Sequence, residues 1–180
     1  MNESESKCMI ERAMHIAMNA HEGQFRKNSI EPYFSHCMSV MKILINIGVK
    51  DVDMLCAALL HDTKEDKSIT DDKIVENTNE RVLKLVNELT FIGTDKIAYI
   101  ESFKNKSTEA LIIKLIDRYC NVYDLLSNDS TYEYAKKYAQ KAFPLIDLYY
   151  EDEIINQMFY ICDIVKLDEY VKFIEITGTI

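Results

Sequence analysis

The residues best suited to chemistry stand at the end of an apolar segment, MLCAALLHDTKED, residues 54–66. Seven apolar or small residues lead directly into His61 and Asp62, and Glu65 and Asp66 follow. Such groups are costly to remove from water unless they are paired or bound to a cation. On one continuous helix, His61 and Glu65 would be i,i+4 neighbours, as would Asp62 and Asp66. The alternative is a buried helix whose last turn simply emerges into solvent.

Two other segments place a possible metal ligand among apolar residues. Helical spacing puts His36 one turn before Val40 on an inward-facing stripe, although a hydrogen-bonded core histidine would give the same pattern. Asp117 stands in the middle of the apolar helical pattern EALIIKLIDRYCNVYDLL, where a solvated carboxylate is hard to justify. Two imidazoles and two carboxylates suit one divalent ion of the Mn, Fe or Zn type. The sequence therefore predicts a metal site formed by His36, His61, Asp62 and Asp117.

The elements that must position these residues all read as helices. The 180 residues include only four glycines and two prolines, which argues against a turn-rich β protein. Apolar periodicity and capping residues predict helices over 7–21, 33–48 with Pro32 at the first position, 51–66, a short one after Thr70, 79–90, 95–103, 107–126, one capped by Ser130 that ends or kinks near Pro144, and a helical tail over 151–176. No linker or repeat interrupts them. We expect an all-α, compact single-domain helical bundle over residues 1–180.

Composition limits the partners and the compartment. A formal net charge of −9 argues against general binding to nucleic acid or anionic membranes. No apolar run approaches a membrane span, and the N-terminus MNESESKCMIERA lacks the apolar stretch of a signal peptide. Five cysteines without CxxC spacing indicate reduced thiols. We expect a cytoplasmic protein that acts on a small molecule, with no nucleic-acid or membrane partner; homo-oligomerisation is left open.

Six ordered segments resemble the motif series of HD-domain phosphohydrolases: ERAMHIAMNAHEGQFRK, EPYFSH, AALLHDTKED, ITDDKI, VLKLVNELT and IIKLIDRYCNVYDL. They are most similar to the hydrolase domain of RelA/SpoT homologues, especially the small stand-alone alarmone hydrolases. The resemblance covers about residues 12–126. It implies a compact all-α bundle of the HD-domain type, which the helices of residues 127–180 would complete. It also implies removal of the 3′-pyrophosphate from (p)ppGpp, giving GDP or GTP plus pyrophosphate.

The resemblance further implies a role for nine residues. The ligands of a single Mn²⁺ match His36, His61, Asp62 and Asp117. The acidic pair that orients and deprotonates the attacking water matches Glu65 and Asp66. The substrate contacts match Arg26, which would stack on the base, Lys27 beside the nucleotide, and Asn121 near the ribose or phosphate. With no synthetase-like segment in the chain, we expect degradative activity only.

Several alternatives remain open at the level of sequence. Arg26 could be an ordinary surface cation, and the loop after Lys27 reads NSIE, without the glycine usual in the family. Cys37 replaces the proline that often follows the loop histidine. The same metal chemistry could act on another nucleotide, such as a nucleoside 5′-monophosphate. A protein of another class, a non-catalytic HD module that senses nucleotides or serves as a scaffold, is a further alternative, but the presence of all six expected ligands and acids counts against it.

Overall fold

The computed structural model describes residues 2–27, 30–65, 69–127 and 131–180, and α-helices dominate these ranges. The eleven α-helices found there are α1 (Glu3–Ala20), α2 (Phe34–Asn46), α3 (Val52–Leu60), α4 (Asp71–Asn77), α5 (Glu80–Leu89), α6 (Lys96–Glu101), α7 (Thr108–Ser127), α8 (Tyr132–Gln140), α9 (Phe143–Tyr149), α10 (Asp152–Met158) and α11 (Ile164–Thr179). A 3-10 helix (Ser102–Asn105) follows α6. The described residues contain one isolated β-bridge, between Phe25 and Pro32, and no β-strand. The prediction of an all-α fold is confirmed.

Polar side chains at the N-termini of the helices explain where several of them begin. Asn2 and Glu5 form a reciprocal capping box, so α1 starts earlier than the apolar pattern indicates. The Oδ1 atom of Asp51 accepts a hydrogen bond from the N–H of Asp53 at 2.9 Å, and Asp53 adds negative charge to the first turn of α3. Thr70 caps α4 as expected. The predicted cap at Ser130 lies outside the described residues.

The expected helix over residues 51–66 is shorter than predicted. Helix α3 ends at Leu60, and His61 is its C-cap residue. Both the N–H and the Oγ1 hydroxyl of Thr63 donate to the Leu60 carbonyl, at 3.0 and 2.7 Å, and this bonding closes a turn instead of another helical turn. The prediction that His61 and Glu65 are i,i+4 neighbours on a helix is therefore wrong. Asp66 lies outside the described residues.

Of the two prolines, Pro32 lies differently from the expectation and Pro144 lies as expected. Helix α2 begins at Phe34, so Pro32 precedes the helix instead of occupying its first position, and the Pro32 carbonyl accepts a hydrogen bond from the N–H of Ser35 at 3.0 Å. Pro144 falls within the first turn of α9, after α8 has ended at Gln140. The predicted helix end near Pro144 is confirmed.

The chain forms two compact units, and the first comprises Met1–Ile45 and Val49–Ile92. In this N-terminal unit α3 packs against α1 and α5, and α4 packs against both α1 and α5. All seven residues of Met54–Leu60 are buried, which makes α3 the apolar centre of the unit. The HDTKE segment that follows α3 is thereby fixed at its start.

The second, C-terminal unit comprises Asn46–Gly48 and Gly93–Ile180. Helix α7 packs against α8, α9, α10 and α11, and ten of its residues are buried. Within the described residues no helix is long and apolar enough to cross a membrane. The expectation of one domain over residues 1–180 stays a prediction.

Candidate active site

Three of the four predicted metal ligands meet within the N-terminal unit. His36 lies in the first turn of α2, whereas His61 and Asp62 directly follow α3. Both imidazoles are buried. The Nε2 atom of His61 is 3.1 Å from Oδ2 of Asp62, and Nε2 of His36 is 4.0 Å from the same oxygen. The structure thus brings two imidazole nitrogens to one carboxylate oxygen.

The hydrogen bond on the far side of the His61 ring determines what this arrangement can bind. Its Nδ1 is 2.8 Å from the Ala58 carbonyl oxygen, which can only accept a hydrogen bond, so Nδ1 carries a proton. In the neutral ring Nε2 then presents a lone pair toward Asp62, itself an acceptor. Two acceptors 3.1 Å apart need a positive charge between them, either a proton or a metal ion. Ligand atoms about 2.1 Å from one ion lie about 3 Å apart at a right angle, so the spacing suits a metal.

Tyr33 is a part of this cluster that sequence reasoning missed. Its hydroxyl donates to Oδ2 of Asp62 at 2.6 Å, and its ring lies 5.7 Å from the His36 ring, centroid to centroid. The segment EPYFSH contains the signal that could have found it, because Tyr33 precedes His36 by three residues. Spacing of this kind places two side chains on one side of a turn.

Glu65, the expected catalytic base, lies just beyond the cluster. Its side chain is exposed, and its Oε1 atom is 3.4 Å from the N–H of Phe91. The neighbouring Lys64 ammonium contacts the Asp71 carboxylate at 2.5 Å and also the side-chain oxygen of Asn87. These contacts tie the HDTKE turn to α4 and α5, so the position of Glu65 does not depend on a helix continuing through it.

Arg26 and Lys27, the expected nucleotide contacts, belong to the loop between α1 and α2. The N–H of Arg26 donates to the Glu31 carbonyl at 2.9 Å, and the N–H of Tyr33 donates to the Gln24 carbonyl at 2.9 Å. The Arg26 guanidinium carbon is 5.4 Å from the centroid of the Tyr33 ring. Arg26 therefore lies against the residue that bonds Asp62, whereas Lys27 is exposed to solvent.

The fourth predicted ligand, Asp117, lies in α7 of the C-terminal unit and is buried, as the sequence indicated. The Lys114 ammonium is 2.8 Å from its Oδ2 atom, and the side-chain amide of Asn121 donates to its Oδ1 atom at 2.6 Å. Asn121 thus contacts Asp117, and its contact with substrate stays a prediction. Sequence reasoning missed Lys114, although its i−3 spacing from Asp117 in KLID is a sign of a helical ion pair.

Comparison with known proteins defines the class. A family model described as an HD domain matches residues 13–143, so the chain belongs to the HD-domain family. Family membership, together with the buried His36, His61 and Asp117, suggests binding of a divalent metal ion.

Among individual proteins, the chain is similar to guanosine-3′,5′-bis(diphosphate) 3′-pyrophosphohydrolases. It is 35% identical over 129 residues to MESH1 of Mus musculus, and the aligned region covers 68% of this chain and 72% of MESH1. It is 38% identical over 126 residues to the enzyme of Aquifex aeolicus, and the aligned region covers 64% of this chain and 18% of that protein. The enzyme of Haemophilus influenzae is 30% identical over 79% of this chain and 23% of its own length. The chain thus spans about one fifth of the length of these two bacterial relatives.

A solved structure extends the likeness to the fold. The structure of a metazoan orthologue of SpoT, described as hydrolysing ppGpp, superposes with a TM-score of 0.73 at 27% identity. The match covers 91% of this chain and 94% of that one. The resemblance first noted over residues 12–126 therefore reaches into the C-terminal third as a similarity of fold.

Proposed function

We propose that this protein is a metal-dependent hydrolase that removes the 3′-pyrophosphate from (p)ppGpp. The observation that carries the proposal is the meeting of His36 Nε2, His61 Nε2 and Asp62 Oδ2. It occurs in a chain that is 35% identical to MESH1 over 129 residues. The products would be GDP or GTP and pyrophosphate.

The metal in this proposal is a single Mn²⁺ held by His36, His61, Asp62 and Asp117. Neutral imidazoles and carboxylates are ligands that Mn²⁺ accepts. Such an ion supplies Lewis-acid stabilisation of the phosphoryl charge and makes a bound water more acidic. The hydrogen bonds that Asp117 accepts from Lys114 and Asn121 are compatible with this role, because each carboxylate oxygen keeps a further lone pair.

The remaining residues of the proposal manage the water and the substrate. Glu65, exposed at the end of the HDTKE turn, would accept a proton from the attacking water, and Asp66 would help to orient that water. Arg26 and Lys27 would bring positive charge to the phosphates and the base, and Asn121 would contact the ribose or phosphate. A chain with a net charge of −9 needs such local cations to bind a polyanionic nucleotide.

A nucleotide panel with the purified protein and Mn²⁺ tests this function. The panel contains ppGpp, pppGpp, GMP, GDP, GTP and a 3′-phosphorylated nucleotide, and the products are resolved by anion-exchange chromatography. We expect turnover of ppGpp or pppGpp and not of the others. Phosphate release from another nucleotide with ppGpp left intact would support the same chemistry on a different substrate. Nucleotide binding without any turnover would support a sensing module.

We also propose a cytoplasmic location. All five cysteines lie in described parts of the chain, and none of them forms a disulfide bond there. Burial raises the pKa of the Cys56 thiol to about 12, which slows oxidation through the thiolate.

A further inference from the structure

Tyr33 makes a hydrogen bond to the carboxylate at the centre of the His/Asp cluster. Its hydroxyl is 2.6 Å from Oδ2 of Asp62, the same oxygen that lies 3.1 Å from Nε2 of His61. A hydroxyl that donates to a carboxylate at this distance makes a short, charge-assisted bond. Such a bond restricts rotation of the carboxylate and thereby fixes the direction of its remaining lone pairs.

Aromatic and charged neighbours hold the Tyr33 ring in place. The His21 ring lies 4.7 Å away, centroid to centroid, and the His36 ring lies 5.7 Å away. The guanidinium carbon of Arg26 is 5.4 Å from the ring centroid, within the range of a cation–π contact. The ring therefore contacts one expected metal ligand and the side chain expected to meet the base.

The backbone around Tyr33 fixes the position from which the hydroxyl acts. The N–H of Tyr33 donates to the Gln24 carbonyl at 2.9 Å, beside the β-bridge between Phe25 and Pro32. The carbonyl of Tyr33 accepts the N–H of His36 at 3.0 Å in the turn that leads into α2. When the backbone N–H and C=O of a residue are both hydrogen-bonded, its side chain can orient a partner with little further loss of conformational entropy.

We propose that Tyr33 is the positioning residue of this site. Its hydroxyl orients the Asp62 carboxylate for the divalent ion, and its ring connects that carboxylate to Arg26. The inference rests on the proposed function, because it takes Asp62 as a metal ligand and Arg26 as a nucleotide contact. It adds a residue that the metal and substrate assignments do not include. The hydroxyl of this residue acts on the metal ligand Asp62, and its ring acts on Arg26.

Two substitutions separate those effects. Tyr33→Phe removes only the hydroxyl, so the contacts of the ring with His21, His36 and Arg26 remain. Loss of a partner that orients a ligand weakens metal binding by about 10- to 100-fold. We expect Tyr33→Phe to bind Mn²⁺ at least about tenfold more weakly in calorimetric titration without nucleotide. Excess Mn²⁺ should recover most of the activity, with an unchanged KM for ppGpp. Tyr33→Leu removes the ring as well and should also raise that KM.

The matched control is Tyr150→Phe, which removes a hydroxyl that is 3.3 Å from Oε2 of Glu175 in the C-terminal unit. We expect its Mn²⁺ affinity to equal that of the wild type, and circular dichroism checks that each variant is folded. If the wild type binds Mn²⁺ and Tyr33→Phe binds it with the same affinity, this inference is overturned and the proposed function still stands. An unchanged KM in Tyr33→Leu would overturn the connection to Arg26. Wild-type protein that binds no Mn²⁺ would overturn both the inference and the proposed function.

Discussion

Replacing Lys114 with methionine removes an ammonium group that lies 2.8 Å from Oδ2 of Asp117 and keeps a side chain of similar length. Lys114 is 5% exposed and Asp117 is 3% exposed, so the carboxylate would stay in place with little access to water. Breaking a buried ion pair by removing one partner costs about 3–5 kcal/mol. The hydrogen bond from Asn121 at 2.6 Å remains, and for this reason we expect the lower end, about 3 kcal/mol.

The assay is urea unfolding of the metal-free protein, followed by circular dichroism at equal protein concentrations. The control substitution is Lys172→Met, which removes an ammonium 2.6 Å from Oδ2 of Asp168. The Lys172 side chain is 59% exposed, so its loss should leave the free energy of unfolding unchanged within error. The double variant Lys114→Met with Asp117→Asn should recover part of the lost stability, because it also removes the buried carboxylate charge that Lys114 had balanced.

The same variants link stability to the metal. If Asp117 is a ligand, a bound ion supplies the positive charge that Lys114→Met lacks. Mn²⁺ should then raise the unfolding free energy of Lys114→Met by more than it raises that of the wild type. The reasoning is refuted if Lys114→Met is no more destabilising than Lys172→Met.

Three further predictions concern the cluster, the base and a surface ion pair. Purified His61→Ala should contain no metal ion when its metal content is measured by mass spectrometry, whereas the control His15→Ala, at an exposed position, should keep the ion. A stoichiometric ion in His61→Ala would contradict the site. Glu65→Gln should keep the metal and lower kcat about 100-fold or more, and a near-wild-type kcat would place the base elsewhere. Burial raises the pKa of Asp51, but the hydrogen bond and charge of Arg81, together with the N–H groups of Met54 and Asp53, outweigh it and hold that pKa below its ordinary value of 3.8. Arg81→Met should therefore lose at most about 1 kcal/mol near pH 7. This difference should shrink as pH falls through about 4 toward the lowered pKa of the folded state, and a constant difference in unfolding titrations would argue against the pair.

The periodicity of apolar residues was sufficient to predict the helical fold and the burial of the main candidates. The apolar face of each helix determines which positions turn inward, and His36 and Asp117 fall on such faces. Helix α3 shows where this reasoning fails. Its apolar run stops at Leu60, and the polar residues that follow were expected to continue the helix; instead the helix ends there, and the Thr63 hydroxyl bonds the Leu60 carbonyl.

The contacts that complete the candidate site were predictable only in part, because i−3 spacing brings Tyr33 and Lys114 to attention but does not determine their partners. The bond from Tyr33 to Asp62 joins residues 29 positions apart, and periodicity carries no information about such a pair. The ion pair of Lys114 with Asp117 lies within one helix, but a lysine in an apolar pattern is usually assigned to the solvent face. Both contacts depend on the final placement of side chains.

The most direct test of the central claim is product analysis of ppGpp incubated with the purified protein and Mn²⁺. The account predicts that GDP and pyrophosphate appear in equal amounts, and that a chelator added beforehand abolishes both. Release of orthophosphate in place of pyrophosphate, or ppGpp left intact by protein that has bound Mn²⁺, would contradict it.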